Sequence, residues 1–148
     1  MLLIMASPKL LRGRISNIGA IYTVTTVTHN RAPLFLRPGL AEIVCTEIDR
    51  NDNAGSTRTY AWMAMPDHVH WLLELKTGSL DNCMQRFKSR SARAINLSTG
   101  LSGAVWQAGF YDHRLRDDED LRQQARYLVM NPIRGALVYK IEDYAFWW

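Results

Sequence analysis

The sequence predicts an α+β fold, most simply a ferredoxin-like antiparallel sheet with helices packed on it. Three observations carry that expectation. Apolar residues recur at the strand period in some stretches and at the helical period in others. Taken in order, these stretches read strand, helix, strand, strand, helix, strand, helix. The length of 148 residues, with 47% hydrophobic and 22% charged, suits one globular domain with a single sizeable core.

Residues 1–16 read as a flexible basic N-terminal arm carrying Lys9, Arg12 and Arg14, and residues 17–148 as a single domain. Residues 18–28 (IGAIYTVTTVT) are β-branched and partly alternating, the pattern of a first strand. Two prolines make residues 29–38 a loop. Leu40, Ile43, Val44 and Ile48 then fall at helical spacing, and NDNAGS at 51–56 breaks that helix. Residues 57–65 form the next strand, with the aromatics Tyr60 and Trp62. Pro66-Asp67 turns the chain into a further strand over 68–75. Gly78-Ser79 ends it, and Ser79 stands where it would cap a helix reaching about residue 97. After a loop at 98–103, residues 105–116 read as a strand, and Asp117 or Asp118 caps a last helix that ends near Pro132. The acidic run at 117–120 sits where the helix dipole favours negative charge, which explains it without any chemistry. The final IEDYAFWW is expected to dock its aromatics on the body.

Charge and cysteine content narrow the function classes. A net charge of +4 and a pI near 9.3 favour a polyanionic partner. The stretch 82–98 holds Arg86, Lys88, Arg90 and Arg93 and no acid. Cys45 and Cys83 lie far apart and make no CxxC pair, which fits reduced thiols in a cytoplasmic protein. The apolar start is too short for a secretory signal, its basic residues follow rather than precede it, and no apolar run is long enough to span a membrane. A soluble cytoplasmic protein is expected.

Two constellations carry chemistry. The first is the segment 65–75, MPDHVHWLLEL, where His68 and His70 lie two apart at the head of an apolar strand. Residues two apart on a strand share a face, so both imidazoles turn to one side, suiting a shared cation or phosphate. The second is on the last helix. There Leu121, Ala125, Leu128 and Val129 form the buried stripe, and Tyr127 and Asn131, four apart, stack on a polar flank with Gln124. Alone, that pair is explained by a rim tyrosine and an asparagine ending the helix before Pro132. Together the two sets suggest more. A phenol with a pKa of about 10 is a weak nucleophile unless a metal ion disperses the charge on a phosphate. Two imidazoles and an amide oxygen would hold such an ion, Mn²⁺ more naturally than Mg²⁺.

On these residues the sequence resembles the single-tyrosine HUH transposases, and within them the REP-associated tyrosine transposases. The matching stretches are YTVTTVTHNRAPLF (22–35), AWMAMPDHVHWLLEL (61–75), MQRFKSRSARAIN (84–96), VWQAGFYDHRLRDDEDLRQQARYLVMNPIRGALV (105–138) and EDYAFWW (142–148). The resemblance implies a ferredoxin-like α+β fold with the HUH strand at the centre of the sheet. It implies metal-dependent cleavage and transfer of single-stranded, hairpin-bearing DNA. Tyr127 would be the nucleophile forming a 5′-phosphotyrosine link, with His68, His70 and Asn131 at the metal positions and Mg²⁺ or Mn²⁺ as cofactor. Asp67 stands where the family usually has Asn, and Trp71 where a small aliphatic is usual. Asp67 would alter the charge at the metal or cap the turn; Trp71 would pack.

For DNA contacts the sequence offers Arg86, Arg90 and Arg93 on one helix face with Lys88 to the side, extended by Arg14 and Arg31. His113 and Arg116 either contact DNA or are ordinary strand residues, and Tyr111, two before His113, is a rival nucleophile ranked below Tyr127. Relatives include homodimers and monomers. Another class of reading is a domesticated hairpin-binding protein that does not cleave. An RNA-binding module would leave the histidine pair unexplained.

Overall fold

The structure, a computed structural model, describes residues 16–116, 118–130 and 137–141. Alternation in the threonine-rich first strand gives β1 (Ile21–Val27), and the helical spacing that follows gives α1 (Leu40–Asn53). A hairpin of β2 (Thr57–Met65) and β3 (His68–Leu75) comes next, then α2 (Leu80–Thr99), β4 (Tyr111–Arg114), α3 (Asp118–Met130) and β5 (Leu137–Ile141). The strands form one five-stranded sheet in the order β4-β1-β3-β2-β5, every neighbouring pair antiparallel. Its first four strands with α1 and α2 make the expected ferredoxin-like unit, and β3 is the middle strand.

The two sheet faces bury different layers. Val24, Trp62, Ala64, Val69, Trp71, Leu73 and Leu75 pack with Leu40, Val44 and Ile48 of α1 and with Leu80, Met84 and Phe87 of α2. On the other face Ala61, Met63 and Leu72 pack with Leu121 and Ala125 of α3, and Met65 and Tyr127 lie against them partly buried. Trp71 is a packing residue as expected: its ring lies 5.3 Å from that of Phe87, and its indole N–H donates to Thr59 Oγ1 at 2.9 Å.

Four features depart from the sequence reading. α1 runs through Asn53 instead of breaking at residue 51. Asn51 is buried there, its amide donates to the Glu47 carbonyl, and its Oδ1 accepts the Cys83 thiol from α2. Asp52 takes hydroxyl protons from Thr57 and Thr59 on β2, so turn-prone residues are held in helix by long-range partners. The strand expected over 105–116 survives only as Tyr111–Arg114. Ahead of it Trp106 makes a lone bridge to Thr28, and the chain turns at Gly109 with φ +74°. β5, on the free edge of β2, was not expected at all. β1 begins at Ile21, after Gly19 turns the chain at φ +87°. α2 starts as read, with Ser79 Oγ accepting the Asn82 N–H at 3.1 Å. Residues 1–15 of the expected arm lie outside the described residues. So do residues 142–148 and the candidate cap at 117. Ser16, the arm's last residue, accepts the Leu80 N–H at the start of α2.

Candidate active site

β3 supplies the centre of the site. His68 and His70 leave it on the α3 face, at the end of the sheet where β1 and β2 finish. Pairing sets His68 opposite Val27 and Met65, and His70 opposite Thr25 and Met63. The two Nε2 atoms approach to 3.2 Å, with the rings near perpendicular at 85°. Each ring is tied down through its other nitrogen. His70 Nδ1 lies 2.9 Å from the Thr25 hydroxyl, and His68 Nδ1 lies 2.7 Å from Asp67 Oδ1. Arg31 continues the line, its guanidinium donating to Asp67 Oδ2 at 3.1 Å.

This network assigns the protons. A carboxylate can only accept, so His68 donates from Nδ1, and in the neutral ring Nε2 then carries the lone pair. With that lone pair accepting from His70 Nε2, Thr25 donates to His70 Nδ1; with the His70 proton on Nδ1 instead, the Thr25 hydroxyl accepts it. In the first case these three bonds run in one direction, from Thr25 to Asp67, and Arg31 donates to Asp67 from the other side.

Electrostatics fit that assignment. Burial pushes the His70 imidazole down to about 3, with the neighbouring His68 acting the same way, so the ring is neutral. Burial tends to raise Asp67, but hydrogen bonds from His68 and Arg31 outweigh it and hold the carboxyl below its ordinary value. Two imidazoles with adjacent Nε2 atoms can hold a divalent cation when the His70 proton sits on Nδ1, where the Thr25 hydroxyl can accept it. Among the described residues no further His, Cys, Asp or Glu joins them.

α3 brings the tyrosine to this face. β4 leaves the histidine end of the sheet at Tyr111, opposite Thr25, and finishes at Arg114, opposite Tyr22. β5 begins at Leu137, opposite Ala64 and next to the histidine row. Between them α3 must carry the chain back along the face, so its C-terminal turn, with Tyr127, arrives toward the histidine end. Tyr127 is half-buried against the cluster of Met63 and Leu72, which flank His70 across and along the sheet. Asn131, the third expected ligand, lies outside the described residues, as does Arg14.

The other expected site residues are dispersed. Arg86, Arg90 and Arg93 are exposed on α2, which covers the sheet face opposite the histidines. Lys88 is held elsewhere, its ammonium donating to the Gln107 carbonyl at 2.6 Å and to the Gly109 carbonyl, and burial pushes it down to about 8. Arg31 sits at the site, but on Asp67. His113 is exposed on β4 and faces the histidine side through its pairing with Thr23, while Arg116 is exposed just beyond that strand. Tyr111 shares a sheet row with Thr25 and His70, two strands away from the latter.

Sequence reasoning missed Thr25, which only the β1–β3 register reveals, and treated Asp67 as a metal-charge modifier or a turn cap. Its carboxylate serves His68 instead. The signal available was an acid directly before an HxH pair.

Comparison with known proteins bears on the family and the fold. A REP-associated tyrosine transposase of Escherichia coli strain K12 is 30% identical over 88 residues, 58% of this chain and 50% of its own length. The matched stretch thus spans half of that relative. A Haemophilus influenzae protein named as a candidate REP-associated tyrosine transposase is 25% identical over 140 residues, 86% of this chain and 78% of its own. A solved REP-associated tyrosine transposase bound to a REP hairpin superposes with a TM-score of 0.66 at 21% identity, over 82% of this chain and 72% of that one. At that identity the likeness is one of fold. Among the described residues no helix is long and apolar enough to cross a membrane. The family model described as Transposase IS200 like matches residues 17–129, most of the sequence, and the chain belongs to that family.

Proposed function

We propose that this chain is a metal-dependent endonuclease and strand transferase for single-stranded, hairpin-bearing DNA, working in the cytoplasm through a 5′-phosphotyrosine intermediate. Tyr127 is the nucleophile, and His68, His70 and Asn131 hold the divalent ion, Mn²⁺ or Mg²⁺. One observation carries the reading: two imidazole Nε2 atoms converge to 3.2 Å on the sheet face against which α3 lays Tyr127. Family membership and a hairpin-bound relative of the same fold support the substrate class.

A bound divalent ion would draw charge from the phosphate oxygens as the phosphorus is attacked. The protein's own groups do the rest. Tyr127 Oη forms the new bond to phosphorus and the bond to the 3′ oxygen breaks. The phenol proton leaves through water, and the departing oxygen gains one to become a 3′-OH. One phosphodiester is exchanged for another, so no nucleotide triphosphate is required. Buried and neutral, His70 can turn an Nε2 lone pair to the ion by carrying its one proton on Nδ1, toward the Thr25 hydroxyl. In a homodimer, Tyr127 would serve either its own histidines or those of the second copy.

The test is incubation of the protein with labelled hairpin-bearing single strands, with and without Mn²⁺ or Mg²⁺, followed by a denaturing gel. The expected result is a metal-dependent covalent species, absent in Tyr127→Phe, with DNA binding nearly unchanged. A covalent species retained in Tyr127→Phe moves the nucleophile elsewhere, with Tyr111 next. A complex on a native gel with no covalent species under any condition replaces the enzyme with a hairpin-binding protein.

A further inference from the structure

We propose that Asp67, braced by Arg31, is the positioning residue that fixes His68 as a metal ligand; this rests on the metal-dependent reading above. Both carboxylate oxygens are committed, Oδ1 to His68 Nδ1 at 2.7 Å and Oδ2 to Arg31 Nη1 at 3.1 Å. The main chain there is also clamped, since the Asp67 carbonyl accepts the Thr28 N–H at 2.9 Å and the Thr28 hydroxyl at 3.0 Å. The same hydroxyl reaches the Ala32 carbonyl, so Thr28 joins the Asp67 turn to the loop that carries Arg31.

That loop is strained. Asn30 and Arg31 sit at φ 55° and 51°, a left-handed conformation that residues with a Cβ seldom adopt and that persists only when the surroundings enforce it. Here the strain delivers a cation to a carboxylate whose other oxygen holds a candidate ligand.

The chemistry follows from the acceptor. Because a carboxylate has no proton to give, it holds the proton of His68 on Nδ1 and leaves the Nε2 lone pair aimed at His70 and at whatever sits between them. It also fixes the ring plane and increases electron density on the ligating nitrogen. His70 has a weaker anchor. The Thr25 hydroxyl can donate or accept, so it permits either tautomer and enforces neither. His68 is therefore the pre-set ligand and His70 the adaptable one. Asp67 cannot ligate from where it stands, since its Oδ1 lies behind His68 on the Nδ1 side.

The test combines calorimetric titration with Mn²⁺ and long-range ¹H–¹⁵N spectra of the imidazoles, on the full chain, for wild type, Asp67→Ala, Asp67→Asn, Arg31→Met and His70→Ala. Wild type is expected to bind Mn²⁺ and to show His68 with its proton on Nδ1. Asp67→Ala is expected to bind about 10- to 100-fold more weakly and to show mixed His68 tautomers. Asp67→Asn, which keeps an acceptor oxygen but no charge, should fall between. Should Asp67→Ala not fold, Arg31→Met replaces an exposed side chain and should weaken Mn²⁺ binding in the same direction. His70→Ala should lose Mn²⁺ while keeping the His68 tautomer. Equal Mn²⁺ affinity in the folded Asp67 variants, or a wild-type His68 protonated on Nε2, overturns the proposal and leaves the metal reading standing. Failure of wild type to bind Mn²⁺, with His68 still protonated on Nδ1, overturns the metal reading and the ligand role together.

Discussion

His70 shows how far one residue's behaviour is set by burial. Only 4% of it is exposed, and burial holds its imidazole at about 3 against an ordinary value of 6.5. The unfolded chain takes up that proton at the ordinary value and the folded chain only far below it. Between the two the unfolded state binds more protons, so stability is full above pH of about 6.5 and falls as the pH drops toward about 3. The loss is on the order of 5 kcal/mol at the acid end. Asp67, also lowered, adds to the decline in the same direction, so the test must isolate His70. Urea denaturation of chelator-treated protein across this pH range should give a steep acid decline for wild type and a shallower one for His70→Gln. Parallel curves would show that His70 is not charged on unfolding in that window. The sequence offered the HxH pair and the shared face, because strand alternation is local. It did not offer the burial of His70, the Thr25 contact or the Asp67–Arg31 link, since these depend on which strands neighbour β3 and in what register.

Among the elements, those with strong local signals were legible. Ser79 was read as the cap of α2 and is one: its hydroxyl accepts the Asn82 N–H. A helix start leaves four N–H groups without helical partners, and here Ser79 takes one while Ser16 takes that of Leu80. Ser79→Ala should cost about 1 kcal/mol, read as a lowered urea midpoint with unchanged slope, while Ser79→Asp should hold the wild-type value. If Ser79→Ala is neutral, Ser16 and water suffice at this terminus. Where local signals were weak or misleading, tertiary partners decided. NDN at 51–53 reads as a breaker, yet Asn51 and Asp52 gain partners on α2 and β2 that hold them in helix. The segment 105–110 reads as strand, yet Trp106 turns inward against Phe35 and Phe87, and Lys88 pins the loop through two carbonyls. β5 escaped notice because a five-residue edge strand has too short a pattern to stand out from its surroundings.

Over the whole molecule the sheet separates the candidate residues onto two faces. The histidine pair and Tyr127 belong to the α3 side, whereas Arg86, Arg90 and Arg93 ride on α2 behind the sheet. The sequence could show that these arginines share a helix face but not that the helix turns its back on the histidines, because layer assignment follows from topology. A single DNA strand lying across the histidines does not reach the α2 flank without passing an edge of the sheet. The arginines therefore suit a separate part of the substrate, such as the stem of a hairpin, and binding and cleavage should separate experimentally. Each phosphate contact adds about 0.9 to the slope of log affinity against log salt. Replacing Arg90 and Arg93 together by Gln should lower hairpin affinity and reduce that slope by about two. Neither the Mn²⁺ affinity of the histidine site nor the covalent yield on a saturating short single strand should change. Fluorescence anisotropy over a salt series gives the slope, and the denaturing gel gives the yield. An unchanged slope would make the α2 flank an ordinary solvated helix surface, and a drop in covalent yield at saturation would mean that the two faces do not act independently.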